Sequence, residues 1–153
     1  MIYGDTSFLF ALYNPGDRFH LHATKLAGQL QQPLALTLLG ELELVNGLHR
    51  GLAARIIDQR EHDAIFRQIS EDEAEGILVR HLLPQVEHYA KARELSKKFT
   101  PEISARSLDI LHVAAALLLR TTEFASFDEK QRVLAKKAGL RLVPEIILRK
   151  KAS

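Results

Sequence analysis

The chain contains no cysteine in its 153 residues. This absence excludes disulfide bonds, thiol catalysis and cysteine-based zinc sites, and it fits a reducing compartment. The sequence also lacks any run of about 18 apolar residues, and no charged segment precedes its first apolar stretch, so neither a membrane span nor a signal peptide is indicated. We therefore expect a cytoplasmic protein.

Internal repeats, low-complexity segments and linkers are also missing. The composition, 46% hydrophobic and 26% charged, is that of an ordinary globular protein. We expect a single domain over residues 1–153 with one core, because a chain of this length buries most of the surface that its unfolded form exposes.

The chain carries little net charge, +2 from 21 basic and 19 acidic residues. The basic residues are nevertheless concentrated near the C-terminal end, at Lys136, Lys137, Arg141, Arg149, Lys150 and Lys151. This distribution weakly favours a polyanionic partner, although a solvated helix face is the more common explanation of such a cluster.

Apolar segments alternate with helical patterns along the chain. Buried strands are expected at residues 1–3, 34–38, 77–79, 124–127 and 140–143, and helices are expected between them. The helix after the second strand should bury Leu42, Val45, Leu48 and Leu52. Thr100-Pro101 should separate two helices, and Ser104 or Ser107 should cap the second of them. Strands alternating with helices predict an α/β fold whose parallel sheet is covered on both faces.

Four acidic residues occupy comparable places in this pattern. Asp5 follows the first strand, Glu43 lies in the first turns after the second, and Asp128 follows residues 124–127. Asp109 lies in a helix, residues 108–119, that is apolar nearly all round, where a carboxylate is costly unless a partner meets it. Sites in parallel sheets gather at the carboxyl ends of the strands, so the four side chains are expected to converge there.

Converging carboxylates need raised pKa values or a bound cation. Oxygen ligands suit hard divalent ions, so Mg²⁺ or Mn²⁺ is the expected cofactor. Each residue alone also has a simpler explanation: Asp5 and Asp128 as helix caps, Glu43 as a solvated residue, and Asp109 as an anion stabilised by the helix dipole. The prediction of a metal site rests on all four residues being expected at the same end of the sheet.

Four ordered motifs carry a family resemblance. They are GDTSFL at residues 4–9, ELVNGL at residues 43–48, RSLDILHVAAA at residues 106–116, and SFDEKQ at residues 126–131 followed by LA at 134–135 and GL at 139–140. In this order they resemble the motifs of the PIN-domain nucleases, and among those the VapC-like ribonuclease toxins of toxin–antitoxin pairs.

The resemblance implies a PIN-like three-layer α/β/α fold with a central, mainly parallel sheet. It carries over Asp5, Glu43, Asp109 and Asp128 as the acidic catalytic and metal-binding quartet, with Ser126 in support. It also implies an RNA substrate, a homodimer with the second and third helices as possible surfaces, and a protein antitoxin that covers the acidic groove with an Arg or Lys.

Two positions near Glu43 depart from the family pattern. Glu41 lies two residues earlier and is turned about 200° away on a helix, so only one of the two glutamates can face the site. The match at Asn46 favours Glu43. Gly47 replaces the family's usual Ala, which loosens the helix by up to about 1 kcal/mol without touching a ligand.

Three histidines could in principle act as a general base or as metal ligands. His112 lies three residues after Asp109, and we interpret it as a buried, hydrogen-bonded structural residue, because a general base is not needed where a metal activates water. His20 and His22 have no partners at zinc-site spacing, and we do not interpret them as metal ligands.

The mechanism that follows is metal-assisted hydrolysis of a phosphodiester, with basic residues at the rim to receive the substrate. Arg50, Lys130, Arg132 and the C-terminal cluster are the candidates for that role. A phosphatase with Asp5 as nucleophile is disfavoured, because the second aspartate expected two residues later is Ser7. The remaining alternative is an inactive PIN-like module that binds RNA or protein.

Overall fold

The structure is a computed structural model, and it describes residues 1–145. Five strands form one sheet in the order β3-β2-β1-β4-β5, and every neighbouring pair is parallel. The strands are β1 (Ile2–Gly4), β2 (Leu34–Thr37), β3 (Leu78–His81), β4 (Glu123–Ala125) and β5 (Arg141–Val143). The helices are α1 (Thr6–Tyr13), α2 (His20–Gln29), α3 (Leu38–Ala53), α4 (Gln59–Ala74), α5 (Gln85–Ile103), α6 (Ser107–Leu118) and α7 (Glu129–Lys137).

Alternate residues of the strands face two separate cores. Ile2, Leu34 and Leu78 pack with residues of α1 to α4, whereas Tyr3 and Phe124 pack with residues of α5 to α7. Successive side chains of a strand point to opposite faces, so this division places helices on both sides of the sheet. The predicted α/β/α arrangement is confirmed, but the single core that was expected is divided in two by the sheet.

Local sequence explains where several helices begin and end. Asp58 and Glu61 form a reciprocal capping box at the start of α4. Gly139, with φ 92, follows α7 in the left-handed conformation that glycine adopts without a steric penalty. Within residues 1–145 no helix is both long enough and apolar enough to cross a membrane.

Three predictions about the helices are wrong. The buried residues of α3 are Gly40, Leu44 and Leu48, while Leu42 is 66% exposed, because apolar residues lie on more than one face of this helix and their period alone does not choose between them. Helix α5 continues through Pro101 and ends only at Ser104, whose φ is 51. A proline this close to a helix end removes one internal hydrogen bond and leaves the turns before it intact.

The capping of α6 also differs from the prediction. Arg106 occupies the N-cap position, no side chain caps the helix, and Ser107 is its first helical residue. The side chain of Arg106 is directed to two carboxylates, those of Asp109 and Asp128.

Candidate functional site

The four predicted carboxylates all follow the carboxyl ends of strands or begin a neighbouring helix. Asp5 is the N-cap of α1 directly after β1, and Asp128 is the N-cap of α7 after β4. Glu43 lies in the second turn of α3, which begins directly after β2. Asp109 is the third residue of α6. Because the strands are parallel, these segments lie at the same edge of the sheet.

Asp5 is fully buried and accepts three hydrogen bonds. Its Oδ1 receives the backbone N–H of Phe8 at 2.9 Å and the hydroxyl of Ser7 at 2.6 Å, and its Oδ2 receives the hydroxyl of Ser126 at 2.5 Å. Burial raises the pKa of Asp5 above its ordinary value, although these donors oppose the rise. Asp5 is thus a desolvated carboxylate held in one orientation.

Ser126 connects Asp5 to the segment that carries Asp128. While its hydroxyl donates to Asp5, the same oxygen accepts the backbone N–H of Asp128 at 3.0 Å. Ser7 adds a second connection, because its oxygen accepts the backbone N–H of Phe127 at 2.9 Å. The start of α1 and the loop between β4 and α7 are therefore fixed to each other.

Arg106 bridges Asp109 and Asp128. Its guanidinium donates to Asp109 through Nε at 2.7 Å and through an Nη at 3.2 Å, and the same Nη lies 3.2 Å from Oδ2 of Asp128. Asp109 is only 8% exposed, so this fork of donors compensates a carboxylate in a nearly apolar helix. The partner that the sequence required for Asp109 is thus an arginine three residues earlier.

Glu43 is held by two side chains from other helices. The hydroxyl of Thr6 donates to its Oε2 at 2.8 Å, and Nε2 of His112 makes a short contact with the same oxygen. Burial by itself would raise the pKa of Glu43, but the hydrogen bonds from His112 and Thr6 and the electrostatic effects of His112 and Arg106 together outweigh it, and the pKa is lowered. Glu43 is therefore ionised, with Oε2 engaged.

The donor of the hydrogen bond between His112 and Glu43 follows from the negative charge on Glu43. An ionised carboxylate only accepts, so Nε2 of His112 is the donor. Nδ1 of His112 lies 2.7 Å from the hydroxyl of Tyr3, whose pKa is raised mainly by burial, so the phenol keeps its proton. A buried chain of hydrogen bonds thus runs from β1 through α6 to Glu43.

The four carboxylates have the right chemistry to bind a hard divalent ion, but their side chains are not arranged around one ion. Four carboxylates from four segments supply oxygen ligands, and the chain has no thiol to compete with them. Within residues 1–145, however, no three acidic or histidine side chains are placed to hold one ion together. Arg106 occupies Asp109 and Asp128, and hydroxyl and amide donors occupy Asp5.

Sequence reasoning missed two residues of this site. Arg106 and His112 each lie one helical turn from Asp109, on opposite sides of it, and these spacings were the available signal. His112 is buried and hydrogen-bonded as predicted, yet it contacts Glu43 directly. Glu41 does point elsewhere, because it pairs with Arg80 of β3 at 2.7 Å.

The predicted basic rim is only partly supported. Arg132 is wrong for this role: it is 7% exposed, and its guanidinium donates to the carbonyls of Ser126, Pro144 and Glu145. Arg50 and Lys130 are exposed. In the C-terminal cluster, Lys137 pairs with Glu102 and Arg141 with Glu123, whereas Arg149, Lys150 and Lys151 lie outside the described residues.

Comparisons with known proteins agree with this architecture. No curated protein sequence matches the chain. Among solved structures, the fold is similar to that of Mycobacterium tuberculosis VapC20, described as a sarcin-ricin loop cleaving toxin, with a TM-score of 0.68 and 18% identity over 95% of this chain and 98% of that one. The family model for the PIN domain matches residues 2–137, nearly the whole described chain. This chain therefore belongs to the PIN domain family.

Proposed function

We propose that this protein is an endoribonuclease that hydrolyses phosphodiester bonds of RNA with the help of Mg²⁺ or Mn²⁺, and that it acts as the toxin of a toxin–antitoxin pair. The observation that carries the proposal is that Ser126 links Asp5 to the segment of Asp128 and that Arg106 links Asp128 to Asp109. Glu43, held by Thr6 and His112, lies near the start of the helix that follows the neighbouring strand β2. Family membership and the similarity to a toxin that cleaves the sarcin-ricin loop support it.

The quartet would hold the ion, which when bound supplies an activated water and offsets negative charge on the phosphate. The chain itself contributes orientation. Thr6 and His112 fix Oε2 of Glu43, so Oε1 would be the oxygen that contacts the ion. Ser126 fixes Asp5 relative to Asp128. Such supporting hydrogen bonds commonly set the affinity of a site for its metal.

Two protein partners belong to the proposal. An antitoxin would cover the acidic site and present an Arg or Lys to it, in the way that Arg106 already meets Asp109 and Asp128. A second copy of the chain would form a homodimer. Exposed apolar residues lie on α2 at Leu21, on α3 at Leu38 and Leu42, and near the start of α5 at Leu82 and Val86. Four of these five residues lie on α3 or near the start of α5.

One observation favours an alternative function. The bridge from Arg106 to Asp109 and Asp128 satisfies two of the four carboxylates without any ion. A PIN domain locked in this state would bind RNA or protein without cleaving it. Cleavage assays separate the two functions.

The test is cleavage of total cellular RNA by the purified protein, first with EDTA and then with added Mg²⁺ or Mn²⁺. We expect cleavage only with the ion, and a loss of at least about a hundredfold in Asp5→Asn and Asp109→Asn. Glu43→Gln and Glu41→Gln form a matched pair: the first should lose activity, and the second should keep it, because Glu41 pairs with Arg80 away from the site. Equal activity in all four variants, or cleavage in EDTA, would refute the proposal.

A further inference from the structure

A cleft beside the carboxylates has no role in the chemistry described so far. It has a volume of about 370 Å³ and lies between the start of α1, the loop before α2, and the loop before α7. Thr6, Ser7, Phe10, Asp17, Arg18, Phe19, Phe127 and Asp128 line it. Pockets that bind small organic groups begin at about 300 Å³, so the cleft has room for a nucleotide.

The cleft adjoins the site through three of its residues. Asp128 is one of the quartet, Thr6 donates to Glu43, and Ser7 donates to Asp5. A nucleotide in this cleft would therefore be a direct neighbour of a phosphate held at the carboxylates. The nucleotides on either side of a cleaved bond must be bound in a cleft next to the reacting phosphate.

The outer wall of the cleft is a stack of planar side chains. Phe8 stacks on Phe127, Phe127 stacks on Phe19 with ring centroids 4.6 Å apart and planes 4° from parallel, and the guanidinium carbon of Arg18 lies 4.6 Å from the centre of the Phe19 ring. A guanidinium over an aromatic face is attracted to it and keeps its in-plane N–H groups free for other acceptors.

Arg18 is exposed, and within residues 1–145 no carboxylate forms an ion pair with it. The nearby Asp17 is engaged elsewhere, because its Oδ1 accepts the backbone N–H of Phe19 at 2.7 Å. That bond fixes the turn on which Arg18 sits. The result is an oriented, exposed cation in the lining of the cleft, with no carboxylate partner among the described residues.

We propose that this cleft is a subsite for a nucleotide of the RNA that flanks the cleaved bond, with Arg18 on Phe19 binding a backbone phosphate. This inference rests on the proposed function and adds a substrate contact to it. Arginines stacked on aromatic rings are suited to single-stranded RNA, since the guanidinium offers donors to a phosphate and a flat face to a base.

The experiment measures RNA binding in an Asp5→Asn background, which changes no residue of the cleft lining and is expected to prevent cleavage. The probe is a fluorescent random-sequence single-stranded RNA of 12 nucleotides, followed by anisotropy between 50 and 300 mM KCl. Adding Arg18→Gln should raise Kd about tenfold and reduce the slope of log Kd against log salt by about 0.7, the value for one lost phosphate contact on a single strand. Adding Phe19→Leu should raise Kd less, and Phe19→Tyr should restore it.

Arg93→Gln is the matched control, because Arg93 is equally exposed but lies on α5, away from the cleft. Neither its Kd nor its salt slope should change. If the wild-type protein cleaves RNA while Arg18→Gln and Arg93→Gln bind alike, the subsite is refuted and the proposed function stands. If the wild-type protein neither binds nor cleaves RNA, both fail.

Discussion

At the scale of single residues, Asp5 and Glu43 are two carboxylates whose surroundings shift their pKa values in opposite directions. Burial dominates at Asp5 and raises its pKa, whereas at Glu43 the hydrogen bonds from His112 and Thr6, with the electrostatic effects of His112 and Arg106, outweigh burial and lower the pKa. A raised pKa means that the ionised form is disfavoured in the fold, and a lowered pKa means that it is favoured. The two residues should therefore affect stability with opposite dependence on pH.

We expect Asp5→Asn, measured in EDTA, to be more stable than the wild type at neutral pH. The stability that a protonated Asp5 contributes is present below its unfolded pKa of about 3.9 and is lost as pH rises through its raised folded pKa. The amide does not ionise, so the advantage of the variant should grow with pH above about 4. Urea unfolding at several pH values measures this difference.

Glu43→Gln is the control with the opposite sign. Its carboxylate contributes stability that is present above the unfolded pKa of about 4.3 and is lost as pH falls through the lowered folded pKa. This variant should therefore be less stable than the wild type at neutral pH, and the deficit should shrink on acidification. If both variants shift stability in the same direction, the electrostatic description of the site is wrong.

Arg106 leads to a prediction about the metal. Its guanidinium already bridges Asp109 and Asp128, and a divalent ion on the same oxygens would have to displace it. Arg106→Gln should therefore bind Mn²⁺ about tenfold more tightly than the wild type. Electron paramagnetic resonance of free and bound Mn²⁺ measures this without reference to activity.

The matched control for Arg106 is Lys130→Gln. Lys130 lines the same small pocket as Asp109 but donates to neither Asp109 nor Asp128, so its loss removes one positive charge without releasing a carboxylate. Its effect on Mn²⁺ affinity should be clearly smaller. Equal effects of the two variants would mean that only general charge matters and that the bridge does not compete with the ion.

At the scale of secondary-structure elements, alternation of apolar strands with helices was enough to predict the sheet and its parallel strands. The motifs also placed Asp5, Glu43 and Asp128 next to strand ends, where the structure has them. The face of α3 and the cap of α6 could not be predicted, because apolar residues surround α3 and because the contact of Arg106 with Asp128 joins residues far apart in sequence. Tertiary contacts of this kind leave no local pattern.

The loop between β4 and α7 depends on Arg132 of α7. Its guanidinium donates to the carbonyl of Ser126 at 2.8 Å and to that of Pro144 at 2.6 Å, which ties the loop carrying Asp128 to the end of β5. Arg132→Met should lower the free energy of unfolding by about 2 kcal/mol, because buried carbonyls lose their donors. Urea unfolding measures the loss.

Lys136→Met is the control on the same helix. Lys136 is exposed, and a surface substitution of this kind changes stability by no more than about 0.5 kcal/mol. If Arg132→Met is as stable as Lys136→Met, the guanidinium does not hold the loop, and Asp128 owes its position to the Ser126 and Ser7 hydrogen bonds alone.

At the scale of the whole molecule, an exposed apolar surface on α3 and near the start of α5 accompanies the proposed homodimer. Leu42 is 66% exposed and Val86 is 80% exposed, and apolar side chains such as these would be covered in a dimer. The double variant Leu42→Glu, Val86→Glu should reduce the mass in light scattering from two chains to one. Leu21→Glu, on α2, should not; a monomer from Leu21→Glu alone would place the interface on α2.

The central proposal, that four carboxylates from distant segments form one ion-binding site, is tested most directly by Mn²⁺ titration of the metal-free protein. We predict that Asp5→Asn, Glu43→Gln, Asp109→Asn and Asp128→Asn each weaken binding by at least about tenfold, while Glu41→Gln binds like the wild type. Unchanged binding in Asp5→Asn and Glu43→Gln, or no binding by the wild-type protein, would contradict a shared site.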